Sequence, residues 1–367
     1  MKVHTFALGL LALNAAAAQA GGIDRSGQGL GVLFEPGNYV EGSFSQVSPN
    51  VTGMDVANGA TGSVVSRYPM ASLSAKLQVS PTLSVALVMD QPYGAKLLYA
   101  NSTPLLGGTQ VDVSSSALLG LARWHIHEHF SLHGGLRVQQ ANAEVRLQGL
   151  AYGPVSGYRV QLASDTSYSP VVGMAYELPH IGMRVVGTYH AATVHNMPTH
   201  ETGGFAMLNG QSTTRINTPR AINLDFQTGL ASSTLLFGQL RWVNWSEFRV
   251  DPQRFMAVTG EGLIELRDSS SYTLGLAQRL SSRWSGAASL HHEAKGAPLV
   301  SPLSPVNGRR GATLAAIFTE GRLRVSAGLS YMKLGDAMLE TGTPDTQRAA
   351  MQGNHTVGVG VTVGWAL

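Results

Sequence analysis

The feature that most constrains this chain is alternation with a period of two. Near the C-terminus Val357, Val359, Val361, Val363, Trp365 and Leu367 share one face, and Gly358, Gly360, Thr362, Gly364 and Ala366 share the other. Leu323, Val325, Ala327, Leu329 and Tyr331 alternate with Arg322, Arg324, Ser326, Gly328 and Ser330. Leu132, Gly134, Leu136 and Val138 alternate with His133, Gly135, Arg137 and Gln139. The stretches 72–79 and 222–227 do the same. The polar face is small and carries scattered Arg. That fits a soluble sandwich or a barrel with lipid outside and a polar lumen, and alternation does not choose between them.

The connections choose. Fourteen strands are expected near 39–49, 64–79, 82–99, 113–126, 130–146, 157–177, 182–192, 217–231, 234–247, 271–281, 283–293, 311–319, 322–333 and 355–366. The gaps between them alternate strictly between long and short, with long ones near 50–63, 100–112, 147–156, 193–216, 248–270, 294–310 and 334–354. Short turns on one side and long loops on the other are the signature of an antiparallel transmembrane barrel. The expected fold is therefore all-β, a fourteen-stranded antiparallel transmembrane β-barrel over 39–367. Tyr39, Tyr99, Tyr189, Trp242, Trp245, Tyr331 and Trp365 lie toward strand ends, where an aromatic girdle is expected.

Composition agrees. Only 13% of the 367 residues are charged, against about 25% in a soluble domain. The net charge is +3, with no run of Lys and Arg, so nothing points to nucleic acid. There is no cysteine, hence no disulfide and no thiolate chemistry. Residues 1–20 read as a signal peptide: Lys2, an apolar stretch from Phe6 to Leu13, then Ala18-Gln19-Ala20.

Chemistry is not indicated. His125, His127, His129 and His133 straddle an expected periplasmic turn and read as solvated rather than metal-binding. His291-His292-Glu293 ends a strand and reads the same way. No Gly-x-Ser-x-Gly is present. Gly27 to Gly31 follows no strand and opens no helix, so it is no phosphate loop. No enzyme activity, cofactor or metal is expected. Arg137, Arg184, Arg322 and Arg324 fall in the polar phase of their strands. They are expected either to meet a carboxylate ligand or to pair with lumenal Asp and Glu.

Several segments resemble the FadL/TodX family of outer-membrane transporters for long-chain fatty acids and other hydrophobic compounds. Trp242-Val243-Asn244-Trp245-Ser246-Glu247-Phe248 resembles the family's aromatic-x-x-Trp-Ser-x-Phe strand end. Gly328-Leu329-Ser330-Tyr331-Met332 resembles its Gly-x-Ser-Tyr-Met strand, and Tyr176-Glu177-Leu178 a strand end at a turn. Pro92-Tyr93-Gly94 falls where the family carries an aromatic-Gly pair. The similarity is collinear over 21–367.

The resemblance implies a barrel with an N-terminal hatch, here 21–38, shorter than the family's and without its Asn-Pro-Ala. It implies a lumenal hydrophobic ligand that leaves sideways where the third strand kinks. Carried to this chain, the lateral gate is Pro92, Tyr93 and Gly94; the other reading is an ordinary proline-tolerated bulge. Leu30, Val32, Leu33 and Phe34 are expected to plug the lumen or line the ligand path, and the loop at 193–216, with Met197, Phe205, Met207 and Leu208, to act as a lid. The expected function is passive uptake of hydrophobic small molecules by a monomer in the outer membrane of a Gram-negative bacterium, with outer-membrane lipid as partner. A general diffusion porin and a structural or adhesive barrel are the alternatives.

Overall fold

In the computed structural model, which describes residues 23–342 and 345–367, the chain closes into a fourteen-stranded antiparallel transmembrane barrel. The signal peptide expected at 1–20 lies outside the described residues. The first five strands are β1 (Tyr39–Asn50), β2 (Tyr68–Gln78), β3 (Leu83–Asp90 and Gly94–Leu98), β4 (Gln110–His127) and β5 (Phe130–Arg146). Next come β6 (Arg159–Leu178), β7 (Met183–His190 and Thr193–Thr202), β8 (Gly210–Thr218 and Ala221–Ala231), β9 (Thr234–Val243) and β10 (Ser269–Arg279). The last four are β11 (Trp284–Glu293), β12 (Arg309–Glu320), β13 (Leu323–Leu334) and β14 (His355–Ala366). The ring closes where β1 pairs with β14, from Tyr39↔Ala366 to Asn50↔His355. Twelve residues of β1, at about 3.3 Å each and tilted by about 40°, rise by roughly 30 Å, enough for the apolar band of an outer membrane.

The alternation faces as expected. Leu73, Leu77, Leu132, Leu136, Val359, Val361 and Val363 are exposed on the outside, while Ser74, Lys76, His133, Arg137 and Gln139 are buried within. Higher along the same strands the two faces exchange character. On β5 the outward positions run from Leu132, Leu136 and Val138 to Gln140 and Asn142, and the inward ones from His133, Arg137 and Gln139 to Ala141, Ala143 and Val145. The lumen is more polar in the half that carries the short turns and apolar in the half that carries the long connections, where the main hydrophobic core sits.

Four expectations are corrected. The segment 193–216 is not a loop: Thr193–Thr202 and Gly210–Thr218 extend β7 and β8 beyond the membrane, leaving only 203–209 as connection. The longest connection is 244–268, which carries the helix α1 (Gln253–Thr259). The strand expected at 234–247 ends at Val243, because Trp245–Glu247 turns inward. Finally, Tyr39, Tyr99 and Trp245 are buried in the interior; of the exposed aromatics, Trp124, Tyr168, Tyr176, Trp284, Tyr331 and Trp365 make up much of the belt. Short strands at Gly53–Asp55, Leu299–Val300, Ala337–Thr341 and Thr346–Met351 form a second sheet that caps the outer end.

Replacing Leu136 by Arg puts a cation on the lipid face. Urea unfolding in bilayers is expected to show a loss of about 2–4 kcal/mol for Leu136→Arg.

Candidate functional site

The site is organised by an interruption in β3. Pro92 has no amide hydrogen to donate, and Gln91 to Tyr93 leave the strand. The β2–β3 ladder runs from Gln78↔Ser84 to Leu73↔Met89 and stops. Above the break, Gly94–Leu98 pairs with β4 and no longer with β2 in a regular ladder. The N-terminal segment takes up the vacated bonds: Arg25 N donates to Pro92 O at 2.9 Å, and Gly94 N donates to Ile23 O at 2.8 Å. A gap is left in the wall between Met70-Ala71-Ser72 of β2 and Asp90-Gln91 of β3, and a lumenal pocket under the hatch is lined by both sides of it. Ala71, exposed on the outer face, is among the residues that line this pocket.

Tyr93 turns inward and is 5% exposed. Its hydroxyl donates to Pro219 O at 3.4 Å and accepts from Gln28 Nε2 at 3.2 Å. Its ring meets Trp245 edge-on, at 5.8 Å between centroids. The backbone is clamped by Ser115, whose Oγ accepts from Tyr93 N at 2.9 Å and donates to Tyr93 O at 2.7 Å.

The hatch is a bonded unit. Gly27 and Gln28 both have positive φ, which turns the chain back on itself. Asp24 and Arg241 form an ion pair at 2.8 Å with both side chains fully buried. Arg241 also donates to Asn223 Oδ1 at 2.8 Å, and Ser26 donates to Asp90 at 2.5 Å. Further along, a single 3-10 turn, Gly31–Phe34, buries Val32 and Leu33. With Leu30 they pack on Ala86, Val88, Leu119, Leu121 and Val171. The Phe34 ring sits under the guanidinium of Arg123 at 4.3 Å and of Arg184 at 4.8 Å. Glu35 accepts from Arg324 at 2.8 Å, and Lys76 Nζ donates to Glu35 O at 2.6 Å. Arg123 is itself paired with Glu177.

Above Tyr93 lies a mainly apolar cavity of about 60 Å³, whose lining also includes Gln139, His195 and Thr218. Ile23 and Tyr93 form part of that wall, with Val111, Met197, Ile216, Phe248 and Ile264 among the other lining residues. Its roof is the packed outer cap. There Glu201, fully buried, accepts from the backbone N–H groups of Arg254 and Phe255 at the start of α1, at 3.0 and 2.9 Å. It also accepts from Tyr158 Oη at 2.9 Å. Burial first, then the bond to Glu201 and its charge, push the Tyr158 hydroxyl far above the ordinary tyrosine range, which keeps it a donor.

The residues expected from sequence fall into separate places. Pro92, Tyr93 and Gly94 are at the break. Leu30, Val32, Leu33 and Phe34 are in the plug, below the apolar cavity. Of the expected lid residues Met197 lines the cavity; Leu208 is buried in the cap, Phe205 packs against it, and Met207 is 61% exposed. Arg137 donates to His190 Nδ1 at 2.9 Å and Arg184 to Gln227 at 3.0 Å, so both are engaged by neutral groups. Sequence reasoning missed Asp24, Arg241 and Glu201. Arg241 had a signal: it lies in phase with Gln239 and opposite Leu240 and Trp242. The described residues hold no group of His, Asp and Glu arranged for a metal.

No family model matches the chain, and no curated relative does. Solved structures do. A FadL homologue from Pseudomonas aeruginosa superposes with a TM-score of 0.74, at 12% identity and 92% coverage of each chain. The toluene transporter TbuX of Ralstonia pickettii gives 0.63 at 12% identity, covering 91% of this chain and 90% of that one. The P. putida toluene transporter TodX gives 0.63 at 10% identity and 91% of each.

Removing one partner of a buried ion pair strands the other. Asp24→Ala is expected to lower unfolding stability by about 3–5 kcal/mol, read from the denaturation midpoint and slope. At these low identities the likeness establishes a common fold: the chain is a fourteen-stranded barrel of the FadL and TodX type.

Proposed function

We propose that this barrel sits in the outer membrane of a Gram-negative bacterium and carries hydrophobic small molecules inward by passive diffusion, as a member of the FadL/TodX family. The observation that carries this reading is the apolar cavity set directly on a break in the wall, with Tyr93 and Ile23 shared between them. A ligand held there gains roughly 0.8 kcal/mol per buried methylene. No energy source is needed, because the bilayer is an equally apolar destination. The path runs from the cavity, past Tyr93, to the opening between β2 and β3, with Pro92, Tyr93 and Gly94 as the lateral gate. Gly94 fits this role, since an added Cβ would lie 2.5 Å from the Arg25 guanidinium.

Long-chain fatty acids and uncharged hydrocarbons both fall within the proposed class. The cavity lining holds no Arg, Lys, Asp or Glu, and Arg137 and Arg184 bond elsewhere, so the geometry favours ligands without a charged head. A general diffusion porin is disfavoured by the lumen itself, which residues 23–38 occupy with buried, bonded side chains.

Native mass spectrometry of the detergent-purified protein tests the carrier reading. A stoichiometric co-purified fatty acid or hydrocarbon is expected, and an empty barrel with steady ion conductance would replace the carrier with a porin. Deleting residues 23–34 is expected to raise conductance in a planar bilayer several-fold. A flat response would mean that these residues do not plug the lumen.

A further inference from the structure

The ladder between β6 and β7 also lapses. It runs from Leu178↔Met183 to Val171↔His190 and resumes only at Leu162↔Thr199. The register is the same on both sides of the lapse, so no residue is inserted. The two strands part over 163–169 and 192–198 and then rejoin. Each end of the parting carries a proline: Pro170, whose carbonyl still accepts from Ala191 N at 3.1 Å, and Pro198, which would face Ala163. Neither supplies the amide hydrogen that a continued ladder needs. On its other side β6 stays paired to β5 but bulges, with Ala163 and Ser164 set against Asn142 between Ala141↔Asp165 and Ala143↔Leu162. A bulge bends its strand. β7 meanwhile stays paired to β8 from Thr193↔Thr218 to Glu201↔Gly210.

Side chains close the parting in place of backbone. Ser169 Oγ and Thr193 Oγ1 are 2.8 Å apart. His195 Nδ1 lies 2.9 Å from Asp165 Oδ2, and Gln139 Nε2 lies 3.2 Å from His195 Nε2. The His195 side chain is fully buried, while Asp165 keeps 24% of its side chain exposed. The inner side of this seam is the apolar cavity, lined here by Leu162, His195 and Met197. The outer side is an open surface groove, lined by Ala163, Pro198 and Thr199. Asn142, Ala143 and Leu162 line both, so at these residues a single layer of wall separates them.

The height of the parting matters. The outward apolar positions end at Val138 and Tyr168, and Gln140, Asn142 and Thr166 above them are polar and exposed. Tyr168, 72% exposed, marks the aromatic level. The groove therefore faces headgroups and water, not hydrocarbon. At the top of the barrel Leu106, Leu147, Leu208, Leu339 and Met351 are packed at 3% exposure or less.

We infer that the parting between β6 and β7 is a side portal through which an uncharged hydrophobic molecule enters the apolar cavity, latched by Asp165 and His195. The inference rests on the carrier reading and adds its entrance. Entry breaks side-chain bonds only, one of them already reached by water, and leaves both flanking ladders intact.

The chain has no cysteine, so a disulfide across the parting is selective. The full-length barrel carrying Ser169→Cys and Thr193→Cys is purified in detergent, and disulfide closure is confirmed by mass. Association of the neutral fluorophore N-phenyl-1-naphthylamine is followed by stopped flow. The oxidised protein is expected to bind at least about tenfold more slowly, and the reduced protein within about twofold of wild type, with equal final affinity. Asp165→Ala, which removes the latch without a cross-link, is expected to speed association several-fold. Equal rates in the oxidised and reduced forms, with binding intact, would overturn the portal. Absence of binding by the wild type would overturn the carrier reading itself, and the portal with it.

Discussion

In hydrocarbon a backbone amide has no water to turn to, so a strand that crosses a membrane must bond to a neighbour on each side. The rest of this structure follows from that requirement. It closes β1 onto β14 and leaves no edge. It also gives meaning to any place where the ladder lapses, since each lapse must be made good by something else. At β3 the substitute is the N-terminal segment, whose backbone bonds to Pro92 and Gly94. Between β6 and β7 the substitute is a set of side chains, Ser169 with Thr193 and Asp165 with His195. Proline is present at both lapses, and its missing donor gives a common physical cause.

The two lapses lie on either side of one apolar cavity, which receives Ile23 and Tyr93 from the first and Leu162 and His195 from the second. Below it the lumen is polar, and Leu30, Val32, Leu33 and Phe34 fill its centre. The apolar cavity is thus bounded below by the N-terminal segment and above by a packed cap. The polar half keeps its cations occupied: Arg324 by Glu35, Arg123 by Glu177, Arg241 by Asp24. That arrangement stabilises the plug and leaves the apolar compartment free of charge.

The membrane-facing part of the fold was legible because a fixed parity separates lipid from lumen there. Leu132, Leu136 and Val138 against His133, Arg137 and Gln139 read as a strand with a known direction. The interruption of β3 at Pro92-Tyr93-Gly94 falls where the family resemblance put a kink, and proline's missing donor is consistent with it. Thr193–Thr202 was not legible. Beyond the bilayer the outward face turns polar, as at Asn196, Pro198 and His200, and the inward face mixes Thr193 with His195, Met197 and Glu201. No contrast remains for a period to reveal, so a strand was read as a lid. The Asp24–Arg241 pair and the Asp165–His195 bond were out of reach for another reason: each joins partners at least 30 residues apart.

The Asp24–Arg241 pair bears on how the two ends of the cavity communicate. A buried pair of this kind adds little net stability over well-packed apolar side chains, because desolvation offsets the attraction. Its value is positional. Asp24 forms a backbone bridge with Tyr93 while its carboxylate holds Arg241 on β9. Arg241 in turn holds Asn223, and Asn223 donates to Gly27 O at 3.0 Å. The break in β3, the N-terminal segment and the barrel wall are thus tied together through Asp24. The same segment that carries this pair also bonds the backbone of Pro92 and Gly94 on either side of Tyr93, so the ion pair and the floor of the apolar cavity are held by one stretch of chain.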